Sequence, residues 1–178
     1  MVEPSTLTRR RVLGALGAAG LVPASAQTLR SPDQHFFQLM LGDLKRELEG
    51  ARAEGRKGVL LVYEMDACPF CARFHKTVLR DAGVQDWYRR HFSVFRIDIR
   101  GANPVVGFDG KELSESDFAK QQRVRATPTS VFYDLTGKET VRFAGPARDV
   151  REFMQLGDFV VSGQWRSSTF DAYKARQP

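Results

Sequence analysis

The residues best suited to chemistry in this chain are its only two cysteines, Cys68 and Cys71, which stand three positions apart in the stretch "EMDACPFCARF". Such a pair can form a structural disulfide, supply two metal ligands, or exchange electrons with other thiols. A structural disulfide is disfavoured, because a chain of 178 residues, 42% of them hydrophobic, can bury a stable core without a covalent cross-link. So small a loop would also restrict the unfolded chain very little. We therefore expect chemistry from these cysteines.

Metal binding is the second alternative for the cysteine pair. Covalent haem attachment requires a histidine directly after the second cysteine, and Ala72 stands there instead. Structural zinc requires four ligands, and the chain adds only three histidines to its two cysteines. His75 follows Cys71 by four residues on a predicted helix, so Cys68, Cys71 and His75 stay open as a three-ligand copper or zinc site. The plainer interpretation of His75 is a partly exposed helix residue.

The local pattern favours the redox pair. The apolar run "GVLLVYEM" (58–65) predicts a buried strand, and the cysteines follow it at the start of a predicted helix that ends at about Leu79. Backbone N–H groups and the helix dipole stabilise a thiolate at that position, and Pro69 fits the first helical turn. We therefore expect Cys68 to be the nucleophile and Cys71, one turn further on, the resolving thiol. Their disulfide would be the redox centre, with no other cofactor.

The remaining pattern predicts one α/β domain, in which the elements follow the order α-β-α-β-α-β-β-α-α. This order predicts a mixed sheet with helices on both faces. The predicted elements are a helix from the capping box at 31–34 to about Glu54, a helix over 84–92, a strand over 92–99, a loop or small hairpin over 101–112, a short helix capped by Ser114, a hairpin turning at Thr136-Gly137, and two final helices, the second capped by Ser168.

The N-terminus predicts an export signal over residues 1–26, followed by the domain over 27–178. Three arginines (9–11) precede an apolar stretch that is shorter than the ~20 residues of a membrane-spanning helix. Ala24-Ser25-Ala26 then matches the small-x-small pattern of a signal-peptidase site. The run "TRRRVL" resembles the twin-arginine export motif, with an ordinary Sec signal as the alternative. The mature protein is expected in the periplasm, where cysteine pairs meet an oxidising environment.

The charge gives little information about partners. The formal net charge is +6, from 27 basic and 21 acidic residues. The basic residues do not cluster beyond the N-terminus or alternate with aromatic residues, so no nucleic-acid partner is expected. The positive balance is interpreted as a solvated surface, with a preference for acidic partners as the alternative.

A second motif supports the redox interpretation. The stretch "VRATPTSVFYD" (124–134) follows the cysteine pair, and together the two motifs resemble the thioredoxin superfamily. The resemblance implies the thioredoxin fold, a central mixed sheet flanked by helices, here with an extra C-terminal helix, and the activity of a thiol–disulfide oxidoreductase. It also implies that Pro128 is cis and lies against the cysteines, while Thr127 offers its backbone to a substrate as an added strand. Taken alone, Pro128 would suggest a trans proline at the start of an edge strand.

Within the superfamily, the chain resembles the periplasmic thioredoxins of sulfur-oxidation gene clusters, the SoxW-like group, over residues 33–176. The supporting stretches are "CPFCARFHKTVL", "FDGKELSESDFAKQQRVRATPT" and "FVVSGQWRSSTFDAYKAR". This resemblance implies exported thiol or disulfide proteins of a sulfur-oxidation system as partners, and a membrane thiol transporter as electron donor. The alternatives are a thiol oxidant that installs disulfides, a metal-delivery module using Cys68, Cys71 and His75, and an idle binding domain.

One departure from the family concerns the proton acceptor. Thioredoxins carry a buried acid six residues before the first cysteine, and Val62 occupies that position here. Glu64 is the candidate to take over the role, since an acid in an apolar strand is unusual and a buried carboxyl holds a proton more readily than an exposed one. The alternative is that Glu64 faces solvent at the end of the strand.

The residues between the cysteines bear on the direction of electron flow. Strong oxidants of the superfamily place a histidine there, which stabilises the thiolate and therefore the reduced form. In Pro69-Phe70, the side chain of Phe70 offers neither a charge nor a hydrogen bond to the thiolate. We therefore expect a reduction potential nearer the reducing end of the range, and a protein that reduces its partners.

Overall fold

A four-stranded sheet forms the centre of the computed structural model, which describes Met1 and residues 28–177. The expected signal peptide therefore lies, apart from Met1, outside the described residues. The strands are β1 (Gly58–Glu64), β2 (Phe92–Asp98), β3 (Pro104–Val106), β4 (Glu112–Ser114), β5 (Thr129–Asp134) and β6 (Glu139–Ala144). The helices are α1 (Pro32–His35), α2 (Leu44–Ala53), α3 (Pro69–Phe74), α4 (Ala82–His91), α5 (Glu115–Gln121), α6 (Val150–Val161) and α7 (Phe170–Lys174). A π-helical turn (His75–Leu79) continues α3, and a 3₁₀ turn (Gln164–Arg166) follows α6.

The central sheet is mixed and has the strand order β2-β1-β5-β6. Strand β1 runs parallel to β2 and antiparallel to β5, and β6 pairs antiparallel with β5. All seven residues of β1 are buried, which explains its continuous apolar run. The predicted fold class, a mixed sheet flanked by helices with an extra C-terminal helix, is confirmed.

Each face of the sheet carries its own apolar core, because successive side chains of β1 point to opposite faces. On one face, Leu60 and Val62 pack with α3, α4 and α6 in a cluster rich in aromatic rings. Within it, the rings of Tyr88 and Phe153 stack at 4.2 Å. On the other face, Leu61 packs with residues of α2 and α5. Each fully buried side chain of this size contributes roughly 1.5–3 kcal/mol to folding, so both helical layers are held against the strand that leads to the cysteines.

The predicted small elements around the sheet are confirmed. The segment 101–112 contributes to a small hairpin, in which β3 pairs antiparallel with β4. Ser114 caps α5 by accepting a hydrogen bond from the Asp117 N–H at 3.1 Å. Gly137 adopts a φ of +80° in the turn between β5 and β6, a conformation that favours glycine. Among the described residues, no helix is both long and apolar enough to cross a membrane.

The prediction of one helix from the capping box to about Glu54 is wrong. Residues 36–43 separate α1 from α2, and Leu41 is 80% exposed although its spacing suggested a buried helical face. The reason is tertiary: Gln38 follows the open edge of β2, donating its N–H to the Val94 carbonyl and accepting the Val94 N–H with its side chain, both at 2.8 Å. This segment gives hydrogen-bond partners to backbone groups at the edge of β2, which a continuous helix would leave without partners.

Two predicted caps are also wrong. Ser31 occupies the N-cap position of α1, but its side chain makes no capping hydrogen bond. At the other end of the chain, α7 is capped by Thr169 rather than Ser168, since the Thr169 hydroxyl accepts the Ala172 N–H at 3.2 Å. Neighbouring hydroxyl residues make such positions ambiguous by one residue when only the sequence is considered.

Candidate active site

Cys68 lies at the N-terminus of α3, directly beyond the end of β1. The chain turns through Ala67, which has a left-handed φ of +55°, and Cys68 then takes the N-cap position. Its sulfur accepts a hydrogen bond from the Cys71 N–H at 3.2 Å, and Pro69 begins the helix without needing a partner for its nitrogen. Both thiols are free in this structure, and both are buried, with 6% of Cys68 and 5% of Cys71 exposed.

The loop before β5 completes the surroundings of Cys68. The Thr127–Pro128 peptide bond is cis, the isomer that the resemblance implies, and Pro128 is buried. The Thr127 hydroxyl donates a hydrogen bond to the Cys68 sulfur at 3.2 Å, and the Thr127 carbonyl oxygen lies 3.5 Å from the same sulfur. Two segments nearly sixty residues apart in sequence therefore meet at one sulfur atom.

The two thiols have opposite electrostatic environments. Burial raises the pKa of Cys68, but hydrogen bonds from the Cys71 and Thr127 side chains and from the backbone of Cys71 and Phe70 outweigh it, so the pKa falls below its ordinary value. Burial raises the pKa of Cys71 to about 12, helped by its hydrogen bond to Cys68 and by the charge of Glu64. The pair thus combines a thiol that ionises readily with one that keeps its proton.

Phe70 lies beside this pair with its ring largely in solvent, 60% exposed. Only its backbone contributes to the hydrogen bonding of Cys68. An exposed aromatic ring next to a buried thiol offers an apolar contact for a docking protein.

Glu64 is buried rather than solvent-facing, so the alternative of an exposed side chain at the strand end is wrong. It is the last residue of β1, and only 5% of it is exposed. Its Oε1 lies 2.6 Å from Nε2 of His75, and its Oε2 lies 2.9 Å from Nε of Arg96. The contact with Arg96 is a close ion pair rather than an aligned hydrogen bond. Arg96 also pairs with Asp33 of α1 and covers the ring of Phe37 at 4.3 Å.

The structure does not bring His75 into a metal site with the cysteines. Its Nε2 is engaged by Glu64, and the described part of the chain holds no group of three or more His, Cys, Asp or Glu side chains placed to bind a metal ion. This arrangement does not favour the three-ligand copper or zinc site. Arg96 was not identified from the sequence as a partner of Glu64. The signal available was a basic residue, Arg96, between the apolar residues Phe95 and Ile97 of β2, next to the strand that carries Glu64.

An open cleft of about 520 Å³ joins these groups. Both cysteines, Glu64, His75 and Arg96 line it, and further carboxylates come from Asp33, Asp66 and Asp98. The cleft is large enough to hold water between the cysteines and the carboxylate of Glu64. Groups that can exchange electrons and groups that can hold protons therefore share one solvent-accessible space.

The fold and the cysteine site define a protein of the thioredoxin class, and comparison with known proteins agrees. The thioredoxin-like domain family matches residues 44–160, so the chain belongs to that family. Its fold and its paired cysteines are those of a thiol–disulfide oxidoreductase. The search of curated proteins found no match.

Several solved structures are similar. A thioredoxin-fold protein from Helicobacter pylori is 25% identical, with a TM-score of 0.56 over 66% of this chain and 81% of that one. A thioredoxin from Thermus thermophilus is 28% identical, with a TM-score of 0.50 over 65% and 82% of the two chains. A protein proposed to be a disulphide isomerase, from Bacteroides thetaiotaomicron, is 23% identical, with a TM-score of 0.55 over 78% and 97%, which shows the shared fold.

Proposed function

We propose that this protein is a periplasmic reductant, which reduces disulfides or mixed thiols on exported partner proteins with the dithiol of Cys68 and Cys71. The observation that carries the exchange chemistry is the contrast between the thiols: the pKa of Cys68 is lowered, whereas that of Cys71 is about 12. A reductant needs one sulfur that attacks at neutral pH and a second that stays protonated until it is required.

The first step uses Cys68 as the nucleophile. Its thiolate attacks one sulfur of the partner's disulfide, a new S–S bond forms to Cys68, and the partner's other sulfur leaves as a thiolate. The backbone of Thr127 lies beside Cys68, where an extended partner segment can pair with it as an added strand. The exposed ring of Phe70 supplies an apolar contact to the same partner.

The second step uses Cys71 as the resolving thiol. Cys71 gives up its proton and attacks the Cys68 sulfur, so the partner leaves as a free thiolate and a Cys68–Cys71 disulfide remains. Two electrons have passed from the dithiol to the partner. Because the pKa of Cys71 is about 12, this step needs a nearby base, and Glu64 is proposed as the proton acceptor. Its burial, its place in the cleft and its electrostatic effect on Cys71 support this role.

The preference for reduction rests on what surrounds the Cys68 sulfur. The groups that stabilise its thiolate are neutral hydrogen-bond donors, and the intervening Phe70 side chain adds no charge. A dithiol whose reduced form gains little extra stability is a better electron donor. Installation of disulfides is the competing direction for the same site.

The cellular setting is proposed from the sequence. A twin-arginine signal over residues 1–26 would export the folded protein to the periplasm, where a membrane thiol transporter would return the Cys68–Cys71 disulfide to the dithiol. The SoxW-like resemblance favours proteins of a sulfur-oxidation system as the partners. A fusion of residues 1–30 to a reporter that is active only after export tests the signal. Replacement of Arg9 and Arg10 by lysine should abolish twin-arginine export but leave Sec export intact.

Insulin reduction tests the activity itself. The mature protein, supplied with dithiothreitol, should speed the precipitation of insulin chains well above the rate with dithiothreitol alone, and Cys68→Ser should remove the whole gain. His91→Gln, which changes a half-buried histidine outside the cleft, serves as the control and should retain the activity. Equal rates for the wild type and Cys68→Ser would contradict the proposal.

A further inference from the structure

We propose that His75 is a positioning residue of the redox site, which takes from Glu64 the proton that Cys71 releases and passes it to solvent. This inference rests on the proposed function, since it concerns the second step of that reaction. It is carried by the 2.6 Å contact between Nε2 of His75 and Oε1 of Glu64, and by the difference in their exposure. The Glu64 side chain is 7% exposed, whereas that of His75 is 24% exposed and reaches the cleft.

Of the two side chains that contact the Glu64 carboxylate, one can accept its proton. Oε2 faces the guanidinium of Arg96, which is already fully protonated and has no acceptor. Oε1 faces the imidazole of His75, which can accept a proton when it is neutral. His75 is therefore the base in direct contact with the carboxylate of Glu64, and its side chain is the more exposed of the two.

The helix places His75 close to both Cys71 and Glu64. It stands four residues after Cys71, so the two side chains lie on the same face of the helix, and the His75 N–H reaches back to the Cys71 carbonyl. At His75 the helix widens into the π-helical turn, with the Arg80 N–H donating to the His75 carbonyl at 3.1 Å. Such turns are rare and often mark functional sites. The ring of Phe37 packs beside the imidazole, with 5.7 Å between the ring centroids.

The proposed step balances without any additional reactant. Cys71 transfers its proton to the Glu64 carboxylate, and its thiolate displaces the partner from Cys68, with the electron pair of the broken S–S bond leaving on the partner's sulfur. At rest His75 carries its proton on Nε2 and donates it to the Glu64 carboxylate. Once Glu64 is protonated, exchange with water in the cleft moves the imidazole proton to Nδ1, and Glu64 donates its own proton to the freed Nε2. The imidazolium then releases the proton on Nδ1 to water, so that His75 again carries its proton on Nε2. Glu64 and His75 end the step as they began it.

A pH dependence follows from this route, because a protonated imidazole cannot accept another proton. The rate of the resolving step should therefore fall as the pH is lowered, while the rate of attack by Cys68 should not depend on the imidazole. The charged groups around the imidazole are Glu64 of β1, Arg96 of β2 with its partner Asp33 of α1, Arg73 and Lys76 of its own helix, and Asp66 and Asp98 along the cleft. Glu64 is the one that touches it.

The experiment uses a substrate that reports the two steps separately. A fluorescent peptide is joined by a disulfide to a coloured aromatic thiol, which leaves when Cys68 attacks; the peptide leaves only when Cys71 resolves the mixed disulfide. Rapid mixing with the fully reduced mature protein from about pH 5 to about pH 9 gives both rates. His75→Gln can still donate a hydrogen bond to Glu64 but cannot carry a proton, and His91→Gln is the matched control.

We expect His75→Gln to leave release of the coloured thiol unchanged and to slow release of the peptide by about tenfold, with the slowing at low pH abolished. Added imidazole should restore part of the rate, and His91→Gln should match the wild type. Equal slowing of both steps, or an unchanged peptide rate, would overturn the role of His75 and leave the proposed function standing. If the wild type releases neither group, the proposed function itself fails.

Discussion

At the residue scale, two opposing effects, burial and hydrogen bonding, set the pKa of Cys68. Burial alone would make the thiol hard to ionise, and the donors converging on its sulfur reverse that effect. Cys71 is as deeply buried, and its thiol is hydrogen-bonded to the Cys68 sulfur. Both effects raise the pKa of Cys71, so it keeps its proton. The proposed roles of Cys68 as nucleophile and Cys71 as resolving thiol rest on this asymmetry.

The first prediction concerns trapping. Cys71→Ser should attack insulin normally but should not release it, because no second thiol is present to resolve the mixed disulfide. A covalent adduct should therefore accumulate on a non-reducing gel and disappear with dithiothreitol. Cys68→Ser should form none. An adduct with Cys68→Ser but not with Cys71→Ser would reverse the two roles.

The second prediction concerns the Thr127 hydroxyl, which donates to the Cys68 sulfur at 3.2 Å. Thr127→Val keeps the shape of the side chain but removes the donor, so the pKa of Cys68 should rise. Its alkylation rate by iodoacetamide at pH 7 should fall by about three- to tenfold. Thr127→Ser keeps the hydroxyl and should react at nearly the wild-type rate. Equal rates for the valine and serine variants would show that the hydroxyl does not stabilise the thiolate.

The site residues differ in how far the sequence could predict them. Cys68, Cys71, Thr127 and Pro128 belong to two short motifs whose residue types and spacing are informative in themselves. The surroundings of Glu64 could not be predicted in the same way. Its partners are His75, from the helical segment after the cysteines, and Arg96, from the neighbouring strand. Sequence shows which residues are unusual, whereas the contacts among them depend on the register of the sheet.

At the element scale, local patterns predicted the elements that are buried or capped by nearby residues. Strand β1 and the hairpin at Gly137 are of this kind. The predicted helix before β1 was wrong because the need to cover the open edge of β2 outweighed helical periodicity over residues 36–43. No pattern within that segment shows which strand it will border.

The third prediction compares two glycines on either side of the α2–β1 turn. A Cβ on Gly58 would lie 1.9 Å from the Tyr133 carbonyl oxygen, so Gly58→Ala must push β1 away from β5. It should lower the free energy of unfolding by about 2 kcal/mol or more. A Cβ on Gly50, in α2, meets nothing within 4 Å, so Gly50→Ala should raise it by up to about 1 kcal/mol. Urea unfolding measures both, and similar effects at the two sites would contradict the packing described for β1.

At the scale of the whole molecule, the core holds acids that are hard to ionise. Burial raises the pKa of Tyr63 and Tyr88 well above the ordinary value, and that of Tyr133 to about 12, as it does for Cys71. In the unfolded chain these groups lose their protons at about pH 9–10. Their contribution to stability is therefore fully present below that range and is lost as the pH rises towards 12.

The fourth prediction is a loss of stability at high pH. The free energy of unfolding of the reduced protein should fall by about 3 kcal/mol or more between pH 8 and pH 11. The oxidised protein should lose less, because a Cys71 in a disulfide has no proton to release. Urea unfolding at each pH gives the free energies, and tyrosine absorbance shows whether ionisation accompanies unfolding. Equal stability at pH 8 and pH 11 would contradict the burial of these groups.

The reduction potential of the Cys68–Cys71 pair tests the central claim, that this site donates electrons, most directly. The mature protein is equilibrated in graded dithiothreitol or glutathione buffers, and the free thiols are counted by mass after alkylation. A potential near −270 mV, that of thioredoxin, is the predicted result and fits a reductant supplied from the membrane. A potential near −120 mV would contradict the account and identify a protein that installs disulfides.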